Sequence, residues 1–198
     1  VSWSNICRLV FRRISKRSCR WSRVLLGWSF VYERCSWKTW VTDIHELIAQ
    51  ARRGAKQFPR ATSEQALPYS CEQLAENVLG VRAMTPQEVQ PWIENICHTE
   101  DIDVPMLEFG RKRKTSLGVS LLDDHAMCLF GREIHQSTVL HELAHLSSGA
   151  HGHGVLFRNE LIRLTRAHLS LDYAALLHSL FVGCDLEAAP WGASTRRH

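Results

Sequence analysis

From Thr42 onward the apolar positions fall into short periodic stretches separated by turn residues. Ile44, Leu47, Ile48 and Ala51 recur at helical spacing behind a Thr42/Asp43 cap and predict a first helix. A loop through Pro59 and Pro68 is expected next. Ser70-Cys71-Glu72-Gln73 then has the form of a capping box before Leu74, Val78 and Leu79, with Gly80 as the stop. Thr85-Pro86-Gln87-Glu88 is a second box, and Pro91 is expected to kink or restart the helix that carries Trp92, Ile93 and Ile96. Met106–Phe109 and Leu117–Leu122 read as strands joined by a hairpin whose solvated tip is Arg111-Lys112-Arg113-Lys114. Asp123-Asp124-His125 marks a turn before a third strand, Ala126–Phe130, expected to border the helix that follows. Val139, Leu140, Leu143, Ala144 and Leu146 form the apolar stripe of that helix, with Ser137 or Thr138 as its cap and Gly149 as its end. Two further helices are expected, one from Leu156 to about His168 and one capped by Ser170 that buries Tyr173, Leu176, Leu177, Leu180 and Phe181. Helices, a small sheet and more helices predict an α+β domain over residues 41–198.

Composition changes this picture only at the N-terminus. Residues 1–40 hold nine of the 24 basic residues against a single acid, Glu33, and five of the seven Trp. The remaining chain therefore carries fifteen basic against nineteen acidic residues, so the overall charge of +4 is an N-terminal property and does not mark a nucleic-acid-binding core. Val24–Tyr32 is too short an apolar run to span a bilayer, and no small-residue cleavage site follows it. Residues 1–40 read as a disordered or non-native appendage, because Val41-Thr42-Asp43-Ile44 resembles a protein start. A basic aromatic arm is the alternative, and function is not inferred from the segment. Cys71, Cys97, Cys128 and Cys184 show no CxxC spacing, which points away from a disulfide framework or zinc ribbon and toward a reduced, cytoplasmic setting without membrane attachment.

Chemistry is concentrated in thirteen residues, His141 to His153. His141-Glu142-Leu143-Ala144-His145 is an HExxH pattern, expected by chance only about 0.04 times in such a chain. On a helix, residues four apart share a face, so two imidazoles can reach one metal ion while Glu142 takes a proton from a water beside it. Zinc suits neutral imidazoles and leaves a fourth position for water when three protein ligands hold it. The third ligand must lie beyond Gly149, where His151 and His153 both stand. His151 has the spacing of the longer HExxHxxGxxH motif, but Ser148 occupies the place of its glycine. His153 opens His153-Gly154-Val155-Leu156-Phe157, an HGxxF element at a helix start, and is the favoured candidate. His125 and His135 read as turn or cap residues and Tyr173 as core, with a role in stabilising an oxyanion as its lesser alternative.

HELAH, a short turn and HGxxFR resemble the SprT-like zinc metallopeptidases, and more closely the small HExxH metallohydrolases of actinobacteria and their phages. The resemblance covers about residues 135–165. It implies a minimal zincin-like fold, with Zn2+ held by His141, His145 and His153, the last on the helix after the HExxH helix, and with Glu142 as general base. The implied activity is hydrolysis of an amide bond in a peptide or protein. The rival reading is a zinc-stabilised binding module without turnover, associated with nucleic acid if the basic tetrad or the N-terminal arm engages it. Oligomeric state has no signature in the sequence.

Overall fold

The first helix of the computed structural model, α1 (Ile44–Gly54), buries Leu47 and Ala51 as its spacing predicts. The structure describes residues 43–113 and 116–192, and the described elements belong to the unit Ile44–His198. The expectations for residues 1–40 therefore fall outside the described residues. A short 3-10 turn, Ala55–Gln57, follows α1. Then comes α2 (Ser63–Leu79), which starts well before the expected Ser70. Its capping box is Thr62 with Gln65, whose Oε1 accepts from the Thr62 N–H at 3.0 Å, and Pro68 is carried inside the helix near its start. Ser70 is consequently interior to α2, and its hydroxyl donates to the Ala51 carbonyl at 2.7 Å, joining α2 to α1.

Two residues of β1 (Ala83–Met84) precede α3 (Pro86–Glu100), whose Thr85/Glu88 capping box is as expected. Pro91 neither breaks nor restarts α3. It sits six residues into the helix, where the cost is one backbone hydrogen bond, and Val89, Ile93, Ile96 and Cys97 are buried along one face.

The sheet differs from the expected hairpin order. Strands β2 (Met106–Gly110), β3 (Gly118–Leu121) and β4 (Ala126–Phe130) lie in the order β2-β4-β3, with β2 parallel and β3 antiparallel to β4. The reason is burial. Ala126, Met127, Leu129 and Phe130 are buried, so β4 is the strand that suits the centre, while β2 and β3 are partly exposed edges. β2 and β3 are thus not the two arms of a hairpin, Lys114 of the basic tetrad lies outside the described residues, and the Arg113 guanidinium lies 3.9 Å over the Phe130 ring. The hairpin joins β3 to β4 through the turn at His125, a left-handed residue with φ 45°.

A two-residue strand, β5 (Ile134–His135), pairs with β1 and leads into α4 (Gln136–Ser148), the HExxH helix. His135, not Ser137 or Thr138, is its N-cap, and Gly149 ends it in the left-handed region at φ 64°, as expected. Helices α5 (Val155–His168) and α6 (Leu171–Gly183) complete the unit, and the Ser170 hydroxyl caps α6 by accepting from Tyr173 N–H at 3.0 Å. The core brings α4 residues Val139, Leu140, Leu143 and Ala144 together with Phe157, Leu161 and Leu164 of α5 and Leu177, Leu180 and Phe181 of α6. The unit is α+β with six helices and small sheets. Among the described residues no helix is long and apolar enough to cross a membrane.

Candidate metal centre

Helical spacing on α4 places His141 and His145 on one face, both buried. Gly149 then turns the chain back. The carbonyl of Ala150 in this turn accepts a hydrogen bond from His145 Nδ1 at 2.6 Å, which sets the tautomer and leaves Nε2 as a lone pair. Three residues later His153 enters the same space. It lies in the loop just before Gly154, the N-cap of α5, and not on the helix itself. The Arg158 guanidinium fixes that loop by donating to the carbonyls of His153 and Glu187, the latter at 2.8 Å.

The three side chains converge. His141 and His153 bring their Nε2 atoms to 3.1 Å, and one nitrogen from each of the three histidines lies within 4.8 Å of the others. Two nitrogens on a tetrahedral ion with bonds of 2.0–2.1 Å stand about 3.3 Å apart, so the donor set fits a metal ion. His153 Nδ1 and Glu72 Oε1 are buried without a partner among the described residues. The Phe157 ring packs behind all three imidazoles, with centroids 4.2, 4.6 and 4.9 Å from those of His145, His153 and His141.

Residues from distant segments finish the centre. Glu72 of α2 accepts from His141 Nδ1 at 2.7 Å and so turns Nε2 of that ring toward the cluster. One turn further along α2, Glu76 accepts from the Ser137 hydroxyl and anchors the start of α4. Tyr69 stacks on His141, with centroids 5.6 Å apart, and meets His153 edge-on at 4.7 Å. Glu142 is buried beside the histidines. The hydroxyl of Ser120 on β3 donates to its Oε2 at 2.6 Å and to its backbone carbonyl at 2.8 Å. A Cβ on Gly118 would fall 2.6 Å from Glu142 Oε1, so glycine is what lets β3 pass this carboxylate.

Electrostatics separate the groups. Burial opposes charge on all three imidazoles. At His141 the Glu72 carboxylate overcomes it and raises the pKa to about 9. Burial, followed by the positive charge of His141, holds His145 down to about 4 and His153 to about 3, so their lone pairs are free at neutral pH. Glu142 is pushed up by burial, against the pull of His141 and the Ser120 hydroxyl, which makes it the stronger base. Burial and then the carboxylates of Glu72 and Glu142 lift the Tyr69 phenol to about 12.

No protein family, curated protein or solved structure matches the chain. What can be said of the centre therefore comes from its geometry. His141, His145 and His153 can hold a metal ion, and Glu142, next to His141 in the chain, is buried. His151 is exposed and outside the cluster. Tyr173 is buried with its hydroxyl 3.5 Å from the Glu72 carbonyl, a core position. His125 and His135 are the turn and cap residues expected.

Sequence reasoning missed Glu72, Tyr69, Ser120 and Gly118. Treating Ser70–Gln73 as a capping box left Glu72 as an unremarked residue of a first helical turn. With α2 beginning at Ser63, residues 69, 72 and 76 fall at i, i+3 and i+7 on one face, which is the signal that was there to find.

Proposed function

We propose that the chain is a zinc-dependent hydrolase of the minimal zincin, SprT-like kind, acting on amide bonds of a peptide or protein. The observation that carries this reading is Glu142. A buried carboxylate, oriented by Ser120 and set next to three convergent imidazoles, has a use in hydrolysis and none in a purely structural site. A zinc ion held by three histidines supplies a Lewis acid for a carbonyl oxygen and acidifies water to a pKa of about 7. Glu142 then removes a proton from the attacking water as its oxygen bonds to the carbonyl carbon, and delivers that proton to the nitrogen as the C–N bond breaks. Glu72 and the Ala150 carbonyl keep the proton of His141 and His145 on Nδ1, which holds both rings in the ligating tautomer. An extended substrate backbone would align on edge strand β3, which carries Ser120 and Gly118 against Glu142, rather than on the buried central strand β4. The four free thiols among the described residues suit a reducing, cytoplasmic compartment.

Glu142→Gln is the test. Zinc content measured by elemental analysis should stay at about one per chain in the full-length protein, while release of fluorescent peptides from labelled casein falls by at least about 100-fold. Loss of zinc from the wild type on gel filtration would overturn the metal assignment. Zinc retained with no hydrolysis by the wild type would favour the non-catalytic binding module.

A further inference from the structure

Two aromatic rings flank the histidine cluster, and they differ in where they face. Phe157 is fully buried and touches all three imidazoles, closing the cluster from the core side. Of the three imidazoles Tyr69 touches His141 and His153, and it is partly exposed. Phe58, 5.6 Å away by centroid, supports the tyrosine from behind, and Tyr69 stands one helical turn before Glu72 on the helix that orients His141. Its hydroxyl engages no group among the described residues, whereas that of Tyr173 is turned into the core.

We propose that Tyr69 is the oxyanion donor of the site, hydrogen-bonding through its phenol O–H to the oxygen of the scissile carbonyl. The assignment rests on the hydrolase reading above. As the water oxygen bonds to carbon, the C=O π pair moves onto the carbonyl oxygen, and the Tyr69 O–H strengthens its hydrogen bond to that oxygen without losing its proton. When the π bond re-forms, the C–N pair leaves with the nitrogen and Glu142 supplies the proton. A phenol is protonated throughout the neutral range and is suited to this task.

Tyr69→Phe keeps the ring against His141 and removes only the donor. Zinc-loaded full-length wild type and variant would be titrated calorimetrically with a peptide hydroxamate, whose oxygens imitate the oxyanion, and assayed on labelled casein. The proposal expects equal zinc affinity, hydroxamate affinity lowered about 10-fold or more, and kcat lowered on the order of 100-fold with KM little changed. Tyr69→Leu, which also removes the ring, separates packing from donation: it should lower zinc affinity where Tyr69→Phe does not. Unchanged hydroxamate affinity and kcat in Tyr69→Phe would overturn the Tyr69 role and leave the hydrolase intact. A wild type that binds neither zinc nor hydroxamate would overturn the hydrolase reading, and the Tyr69 role with it.

Discussion

Helix α5 has a buried polar cluster at each end, and the two clusters are built to opposite rules. Near its C-terminus, Arg163 donates to Glu160 at 2.9 Å and pairs with Glu100 of α3, while His168 meets the other Glu100 oxygen at 2.6 Å. Cations answer carboxylates there, and the result ties α5 to α3. At the N-terminal end the cluster is left unsaturated. Three imidazole nitrogens converge there, and His153 Nδ1 and Glu72 Oε1 lack partners among the described residues. A buried polar group without a partner costs about 1–3 kcal/mol, which a stable fold accepts where a ligand makes good the loss. Saturation suits a structural tie, whereas three open imidazole donors can hold an ion.

The largest effect that would break this contrast is on the metal. Structural zinc sites hold ~10–16 kcal/mol, so each ligand accounts for about 3–4 kcal/mol, on the order of several hundredfold in affinity. His145→Ala should strip the chain of zinc, as read by elemental analysis, with the fold preserved in the circular dichroism spectrum. His151→Ala should keep its zinc, since that residue is exposed and outside the cluster. Loss of zinc with His151→Ala alone would move the centre to the longer-motif register.

The saturated cluster should respond in stability instead. Arg163→Met leaves Glu100 and Glu160 without their shared cation in a mostly buried setting, a cost of about 3 kcal/mol, and should lower the urea midpoint without touching zinc content. A variant that lost zinc as well would show that the two ends of α5 are not independent.

These two regions were unequally legible. The unsaturated site is local in its donors, because His141, His145 and His153 lie within thirteen residues and helical period alone brings the first two together. Its supports are not local. Glu72 is 69 residues from His141, and no spacing rule links them until α2 is known to start at Ser63. The saturated cluster is entirely of this kind, with Glu100 and Arg163 brought together only by the packing of α3 on α5. The sheet order failed for a related reason. Adjacent strands pair by default, and only the burial of Ala126–Phe130 on both faces puts β4 between its neighbours.

A smaller effect sharpens the role of Glu72 in orienting His141. A carboxylate that fixes the tautomer of a ligating imidazole is worth about 10–100-fold in metal affinity. Glu72→Gln should weaken zinc binding by that factor in a competition titration with a chromophoric chelator. Glu76→Gln, which touches Ser137 and His135 rather than a member of the trio, should leave it nearly unchanged.

The smallest effect is in the pH dependence of stability, and here Glu100 and His141 should differ in sign. Burial alone would raise the Glu100 carboxyl, but hydrogen bonds from Arg163 and His168 prevail and hold it below the usual carboxylate range. Its contribution is complete above the unfolded value of about 4.3 and is lost as pH falls through the lowered folded value, because the unfolded chain takes up a proton that the folded chain refuses. His141 behaves oppositely when a chelator keeps metal away. Its folded pKa of about 9 lies above the unfolded value, so its contribution is complete below about pH 6.5 and is lost as pH rises toward 9. Urea unfolding in chelator from pH 3 to 9.5 should show both slopes, an acid one shared with the depressed His145 and His153 and lessened by Glu100→Gln, and an alkaline one flattened by Glu72→Gln. Saturating zinc should remove the alkaline slope, since the ion takes the place of the proton on His141, and should steepen the acid one, since protons compete with the ion for the imidazoles. An alkaline slope that persisted unchanged in both Glu72→Gln and the zinc-loaded protein would mean that His141 is not the group responsible, and would remove the electrostatic link between Glu72 and the metal centre.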